Sequence, residues 1–201
     1  MLSDEEVARY HENGYVTPGF RLSESQIESI RERHRELLQK HPEFSNYCPS
    51  LLAYDRGFLD VAKNNEILDM VAQLIGPDVA LWNSSFFAKP AGGGHATPWH
   101  QDGEYWPIRP LATCTVWIAL DPATPENGCL EVIPGSHKKQ TLCNTIPTNA
   151  RTSLLIRNST RHNIMCRMQS QSYSTQARCH CTMFISYTAP LPTTPHNPDA
   201  A

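Results

Sequence analysis

The hydrophobic pattern of the chain changes its period at Val79, and this change constrains the fold more than any other feature. Before Val79, apolar residues recur at helical spacing. After it come short runs rich in β-branched and aromatic residues, VALWNSSFFAKP, TCTVWIALD and GCLEVIPGSH, with turn sequences such as AGGG and DPATPENG between them. Helices followed by short strands predict an α+β domain, with a curled antiparallel sheet or jelly roll that has helices on one flank.

Three helices are predicted ahead of this change. The stretches SDEE and SESQ each form a capping box, in which a Ser side chain and an acid or amide three residues later satisfy the first backbone amides. The first helix should close near Asn13 and Gly14. A third helix, NEILDMVAQLI, should begin near Asn65 and stop at Gly76, which Pro77 follows.

Composition narrows the class of protein. The chain has 201 residues, a formal net charge of −3 and seven Cys without regular spacing, which is typical of one globular domain with reduced thiols. The charge argues against a nucleic-acid partner, and the absence of a long apolar run argues against a membrane. The start, MLSDEEVARYHENG, lacks the basic and apolar segments of a secretory signal, so we expect a cytoplasmic protein.

The charge distribution breaks near residue 140. Nineteen of the 20 acidic residues lie before it, and residues 140 to 198 hold five Arg without one Asp or Glu. Folded domains normally intersperse both signs on their surface. The sequence therefore predicts a domain over residues 1–139 and an aberrant, disordered tail over residues 140–201.

The stretch TPWHQDGEYWP places His100 and Asp102 two positions apart. In a strand, side chains at this spacing point to one face, so the pair converges. An imidazole and a carboxylate, joined by a distant second His, form the facial triad that binds non-haem Fe(II). The commoner use of this spacing is an Asp that only hydrogen-bonds a surface His, so the spacing by itself is weak evidence.

The ordered series HATPWHQDGEYWPIRP and TVWIALDPATPENGCLEVIPGSHK resembles the phytanoyl-CoA dioxygenase family of Fe(II)- and 2-oxoglutarate-dependent oxygenases. The stretches YHENGYV and NEILDMVAQLIGPDV resemble the N-terminal helices of that family, so the resemblance covers about residues 5 to 139. It implies a double-stranded β-helix, the cupin-like jelly roll, with N-terminal helices and, in this chain, incomplete C-terminal strands.

The resemblance also implies roles for five residues. His100 and Asp102 would ligate Fe(II) and act in catalysis, Trp117 would line the 2-oxoglutarate pocket, and Gln101 and Tyr105 would lie at its rim. Fe(II) as metal, 2-oxoglutarate as co-substrate and ascorbate as accessory reductant are the implied cofactors, and a small organic molecule is the implied substrate. A purely structural role in the core is the alternative for Trp117. Neither the substrate nor the oligomeric state is readable from the sequence.

The chain departs from the family pattern in three places. Ser85 stands where the family often has an apolar residue that contacts the co-substrate. The family draws its third metal ligand from a downstream His-Gly-Ser strand, and a basic residue about eleven positions later pairs with the far carboxylate of 2-oxoglutarate. Neither occurs here, because His162, His180 and His196 lie outside any His-Gly-Ser and no Arg follows Arg178.

A shifted reading frame accounts for these departures. When the third base of each codon is joined to the first two bases of the next, RCHCTMFISYTAPLPTTPHNPDA can encode MSLHDVYLIHGSAANDSPQPR. The recovered His falls 87 residues after His100, and an Arg codon follows eleven positions later. The alternative is a genuinely divergent C-terminal segment.

The sequence leaves two functions open: a dioxygenase that is impaired in this chain, or a non-catalytic jelly-roll remnant or interaction module.

Overall fold

The computed structural model describes residues 1–89, 102, 106, 112–123, 130, 132, 134–139, 163–169 and 180–188. The helices are α1 (Asp4–Asn13), α2 (Glu24–Lys40), α3 (Leu59–Ala62) and α4 (Asn65–Ile75). The strands are β1 (Tyr15–Val16), β2 (Tyr47–Cys48), β3 (Ala80–Lys89), β4 (Thr113–Ala119), β5 (Asn163–Gln169) and β6 (His180–Thr188). Short 3-10 turns occupy Pro42–Phe44, Leu51–Ala53, Arg56–Phe58 and Ser136–Lys139.

The three predicted helices are confirmed, and their ends have the expected chemistry. Both capping boxes form, with Ser3 ahead of α1 and Ser23 ahead of α2 each accepting a hydrogen bond from the backbone amide three residues on. Gly14 closes α1 in the left-handed conformation, and α4 ends before Gly76. Local signals therefore mark the starts of α1 and α2 and the ends of α1 and α4.

The strands form one sheet in the order β1-β5-β4-β6-β3-β2. The pairs β2/β3, β3/β6 and β4/β6 are antiparallel, whereas β5 lies parallel to both β4 and β1. The described sheet is thus mixed rather than antiparallel throughout. The chain between β4 and β5 is long enough for the crossover that a parallel pair requires.

The main core lies between the helices and one face of the sheet. Its strand residues alternate, so that Cys114, Val116 and Ile118 of β4 are fully buried beside Met183 and Ile185 of β6. The helices supply the other wall, which includes Ile27, Ile30, Phe58, Ile67, Met70 and Val71. This packing buries the apolar stripes of α2 and α4 and holds β4 at the centre of the sheet.

Strand β6 is also tied to the helical layer by a buried hydroxyl. Tyr187 is 2% exposed, and its hydroxyl donates a hydrogen bond of 2.6 Å to the carbonyl oxygen of Ala62. Burial raises the pKa of Tyr187, so the phenol stays protonated and keeps its role as a donor. Residues 180–188 therefore take part in the sheet, while the predicted boundary near residue 140 and the disorder predicted beyond it stay predictions.

The motif PGSHK docks onto the end of α1. The imidazole Nε2 of His137 donates to the carbonyl oxygen of His11 at 2.9 Å, and the amide of Gly135 donates to the carbonyl oxygen of Asn13 at 2.8 Å. An ion pair between Lys138 and Glu12 accompanies these bonds and lowers the pKa of the Glu12 carboxyl. Part of this motif thus caps the carbonyl end of a helix that lies more than 120 residues away in sequence.

Replacing Gly14 by Ala is expected to destabilise the fold by about 1–3 kcal/mol. Gly14 has φ +83°, and a Cβ there would lie 2.5 Å from Nδ1 of His137. Gly19→Ala is the matched control, because a Cβ at Gly19 meets nothing within 4 Å. The measurement is the denaturant midpoint of unfolding. Equal midpoints for the two variants would contradict the docking of His137 against Gly14.

Of the three predicted strand segments, two are confirmed and the third lies partly outside the described residues. VALWNSSFFAKP and TCTVWIALD contain β3 and β4, as predicted. GCLEVIPGSH lies partly outside the described residues: Leu130 and Val132 are in no strand, and the turn that PGS predicts is found at Pro134 and Gly135. Within the described ranges, no helix combines the length and the apolar character that crossing a bilayer requires.

Candidate active site

Strand β4 is buried on both faces, and its two faces differ in chemistry. Cys114, Val116 and Ile118 point into the main core, whereas Trp117 and Ala119 pack with Ala123 and Leu130 in a second, smaller apolar cluster. Thr113 and Thr115 continue this second face as buried polar residues, 1% and 2% exposed. We call the side of β4 that carries Thr113, Thr115, Trp117 and Ala119 the site face.

Asp102 lies against the site face. Its carboxylate Oδ2 accepts a hydrogen bond of 3.1 Å from the Oγ1 hydroxyl of Thr115, and the residue is half-buried. The extended backbone predicted at this position is not found, because Asp102 has helical backbone. Contact with β4, rather than alternation along its own strand, therefore accounts for the orientation of its carboxylate.

Trp117 is 1% exposed and lies two residues beyond Thr115 on the same face. Its indole packs against the small side chains of Ala119 and Ala123, which leave room for a large ring. The site face therefore presents a hydroxyl donor and an aromatic wall, and the carboxylate of Asp102 lies against it. Such a combination suits a polar ligand with one side sheltered from water.

Helix α2 fixes the end of β4 beyond Trp117. The guanidinium of Arg31 donates to the carbonyl oxygen of Leu120 and lies 3.6 Å from the carboxylate of Asp121. A charged donor on a strand-end carbonyl restrains the backbone there. The site face is thus braced by the helical layer as well as by the neighbouring strands.

Three of the predicted site residues, His100, Gln101 and Tyr105, lie outside the described residues. Asp102 and Trp117 are described, and both lie at the site face. Among the described side chains, no group of three or more His, Cys, Asp or Glu is arranged to hold a metal ion. The metal-ligand role of His100 and Asp102 and the pocket roles of Trp117, Gln101 and Tyr105 stay predictions.

Sequence reasoning missed Thr115. The available signal was the alternation of β4, which places residue 115 on the same face as Trp117. Its partner Asp102 lies 13 residues earlier in the chain, outside the strand, and no local pattern joins the two. The contact becomes visible only when the position of Asp102 against β4 is known.

The sequence model of the family described as phytanoyl-CoA dioxygenase (PhyH) matches residues 2–154, a range that includes Asp102, Thr115 and Trp117. The chain belongs to the phytanoyl-CoA dioxygenase family. Methylphosphonate hydroxylase of Gimesia maris is 32% identical over 155 residues, which cover 69% of this chain and 58% of that protein. Peroxisomal phytanoyl-CoA dioxygenase of Homo sapiens is 27% identical over 164 residues, which cover 69% of this chain and 48% of that protein. The chain spans about half the length of the curated relatives it matches.

Solved structures show the same fold. EctD from S. alaskensis with bound Fe has a TM-score of 0.69 at 18% identity, over 94% of this chain and 77% of that one. The non-heme alpha ketoglutarate dependent carbocyclase SnoK has a TM-score of 0.68 at 21% identity, over 94% of this chain and 84% of that one. At these identities the likeness supports a shared architecture of helices and sheet.

Proposed function

We propose that this chain carries the site of an Fe(II)- and 2-oxoglutarate-dependent dioxygenase that hydroxylates a small organic substrate. The observation that carries the proposal is the Asp102 carboxylate, held by Thr115 beside the buried Trp117. Membership of the phytanoyl-CoA dioxygenase family supports it, as do two structural neighbours, EctD with bound Fe and EctD with 2-oxoglutarate and 5-hydroxyectoine. The corresponding fold is the double-stranded β-helix.

The described carboxylate of Asp102 suits Fe(II). A carboxylate oxygen is a hard ligand that suits a divalent first-row metal, and ligating carboxylates are normally hydrogen-bonded by a neighbour, as Asp102 is by Thr115. His100 and Asp102 would hold the metal. When bound, Fe(II) with 2-oxoglutarate and dioxygen would supply a coupled oxidation, in which one oxygen atom of O2 enters succinate as CO2 leaves and the other enters the substrate as a hydroxyl.

The remaining residues would bind and orient the co-substrate. Trp117 would form an apolar wall of the 2-oxoglutarate pocket and exclude water, because its ring is already sheltered by Ala119 and Ala123. Gln101 and Tyr105 would lie at the rim and contribute polar contacts. Ascorbate would serve as an accessory reductant.

A second candidate function is a non-catalytic jelly-roll module. The observation that favours it is the printed sequence after residue 140, which lacks a His-Gly-Ser and a following basic residue. The family model ends at residue 154, and the relatives named above share 69% of this chain, which supports a boundary in this region. Under this proposal the scaffold is kept and the reaction is lost.

Binding of 2-oxoglutarate to the Mn(II)-loaded protein tests the pocket. Trp117→Ala is expected to weaken binding about 10-fold or more, because loss of a buried aromatic contact costs at least about 1.4 kcal/mol. Trp117→Phe should keep most of the affinity. Trp82→Ala, which removes a Trp that is 44% exposed, is the control. Calorimetric titration without oxygen measures the dissociation constants of 2-oxoglutarate. Binding that does not require the metal would contradict the proposal, and so would equal affinities in Trp117→Ala and Trp82→Ala.

A further inference from the structure

Thr115 donates a hydrogen bond to Asp102, from its Oγ1 hydroxyl to the carboxylate Oδ2 at 3.1 Å. The distance is at the long end for a hydroxyl donor. Thr115 is 2% exposed, so water competes little for this hydroxyl. A buried hydroxyl aimed at a carboxylate across 13 residues of chain is a specific tertiary contact.

The position of this hydroxyl is rigid. Thr115 lies in the middle of β4 and is paired on both sides, with Met165 of β5 and Ser186 of β6. A β-branched side chain in a strand has few χ1 rotamers, so the direction of Oγ1 follows from the backbone. Asp102, by contrast, lies outside the sheet strands, in helical backbone. The sheet can therefore impose an orientation on the carboxylate.

We propose that Thr115 is the positioning residue for the carboxylate that ligates the metal. This inference rests on the proposed function, in which Asp102 is a ligand. The bond to Oδ2 restrains rotation of the carboxylate and so sets the direction in which Asp102 presents its oxygens to the metal. Loss of such an outer contact typically costs 10–100-fold in metal affinity.

Two pairs of proteins isolate the hydroxyl. In the first pair, the native chain has a hydroxyl at residue 115 where Thr115→Val has a methyl group. In the second pair, Thr115→Ser has the hydroxyl and Thr115→Ala lacks it. Ser84→Ala is the control, because it removes an equally buried hydroxyl, 2% exposed, from β3 and outside the site face. The readout is the dissociation constant of Mn(II), obtained from the EPR signal of free Mn(II) with 2-oxoglutarate present and without oxygen.

We expect Mn(II) affinity to fall about 10–100-fold in Thr115→Val relative to the native chain, and similarly in Thr115→Ala relative to Thr115→Ser. Ser84→Ala should bind Mn(II) as tightly as the native chain does. If the role of Thr115 were only structural, the variants without the hydroxyl would unfold at a lower midpoint. The two proteins of each pair would then have the same dissociation constant for Mn(II). If Thr115→Val does not fold, the Ser and Ala pair decides the question.

Two results would overturn the inference, and they are distinguishable. If Asp102→Ala weakens Mn(II) binding but removal of the Thr115 hydroxyl does not, the positioning role is lost while the proposed function stands. If Asp102→Ala binds Mn(II) as tightly as the native chain, Asp102 is no ligand, and both the inference and the proposed function fall.

Discussion

The chain as it stands is expected to release little or no succinate from 2-oxoglutarate, whereas a version rewritten in the shifted frame after Lys139 is expected to release it. The rewritten tail supplies the His-Gly-Ser ligand and the following Arg that the present sequence lacks. Loss of a metal ligand should cost more than the 10–100-fold typical of outer contacts, and loss of the Arg removes a bidentate partner for the co-substrate carboxylate. The measurement is succinate formed with Fe(II) and ascorbate.

The control for this comparison is His100→Ala in the rewritten chain, which should remove turnover again. Robust turnover by the present chain that depends on His100 would mean that a tail residue such as His180 or His196 completes the site. The shifted-frame account of function would then be abandoned. The genomic locus and its transcripts provide an independent check. Clean reads in the present frame, with no insertion, deletion or splice variant near codons 138 to 143, would also rule it out.

Asp102→Ala is expected to raise the dissociation constant of Fe(II) by more than about 100-fold, beyond the cost of losing an outer contact. The variant removes a proposed ligand whose orientation Thr115 maintains. Asp121→Ala is the matched control, because Asp121 is also half-buried, lies just after β4 and pairs with Arg31 on α2.

Anaerobic titration with Fe(II) measures both constants. Asp121→Ala should leave Fe(II) affinity unchanged, although it removes a carboxylate that is also half-buried and lies two residues after β4. An equal loss in the two variants would show that Fe(II) affinity reports general negative charge rather than a ligand at Asp102.

Local signals in the sequence predict the helices and two of the strands well. Capping boxes and glycine stops act within a single turn of helix, so SDEE and Gly14 mark the two ends of α1, and SESQ marks the start of α2, without any knowledge of the tertiary structure. The runs that became β3 and β4 were likewise visible from their β-branched and aromatic residues.

Long-range contacts were not predictable in this way. The bond of Thr115 to Asp102, the docking of His137 on α1 and the parallel pairing of β5 each join distant segments. No periodicity encodes such contacts, because they depend on how the sheet and helices pack together. The helical backbone at Asp102 shows the same limit, since the spacing of His100 and Asp102 was interpreted as part of a strand.

The location of the bound metal tests the central proposal most directly. Crystals grown with Mn(II) and 2-oxoglutarate without oxygen, measured at the manganese absorption edge, give the metal position from anomalous differences. We predict one strong peak at the site face of β4, within bonding distance of a carboxylate oxygen of Asp102 and of the imidazole of His100, with Trp117 beside the co-substrate. A metal bound elsewhere, or a saturated crystal with no metal at Asp102, would contradict the proposal.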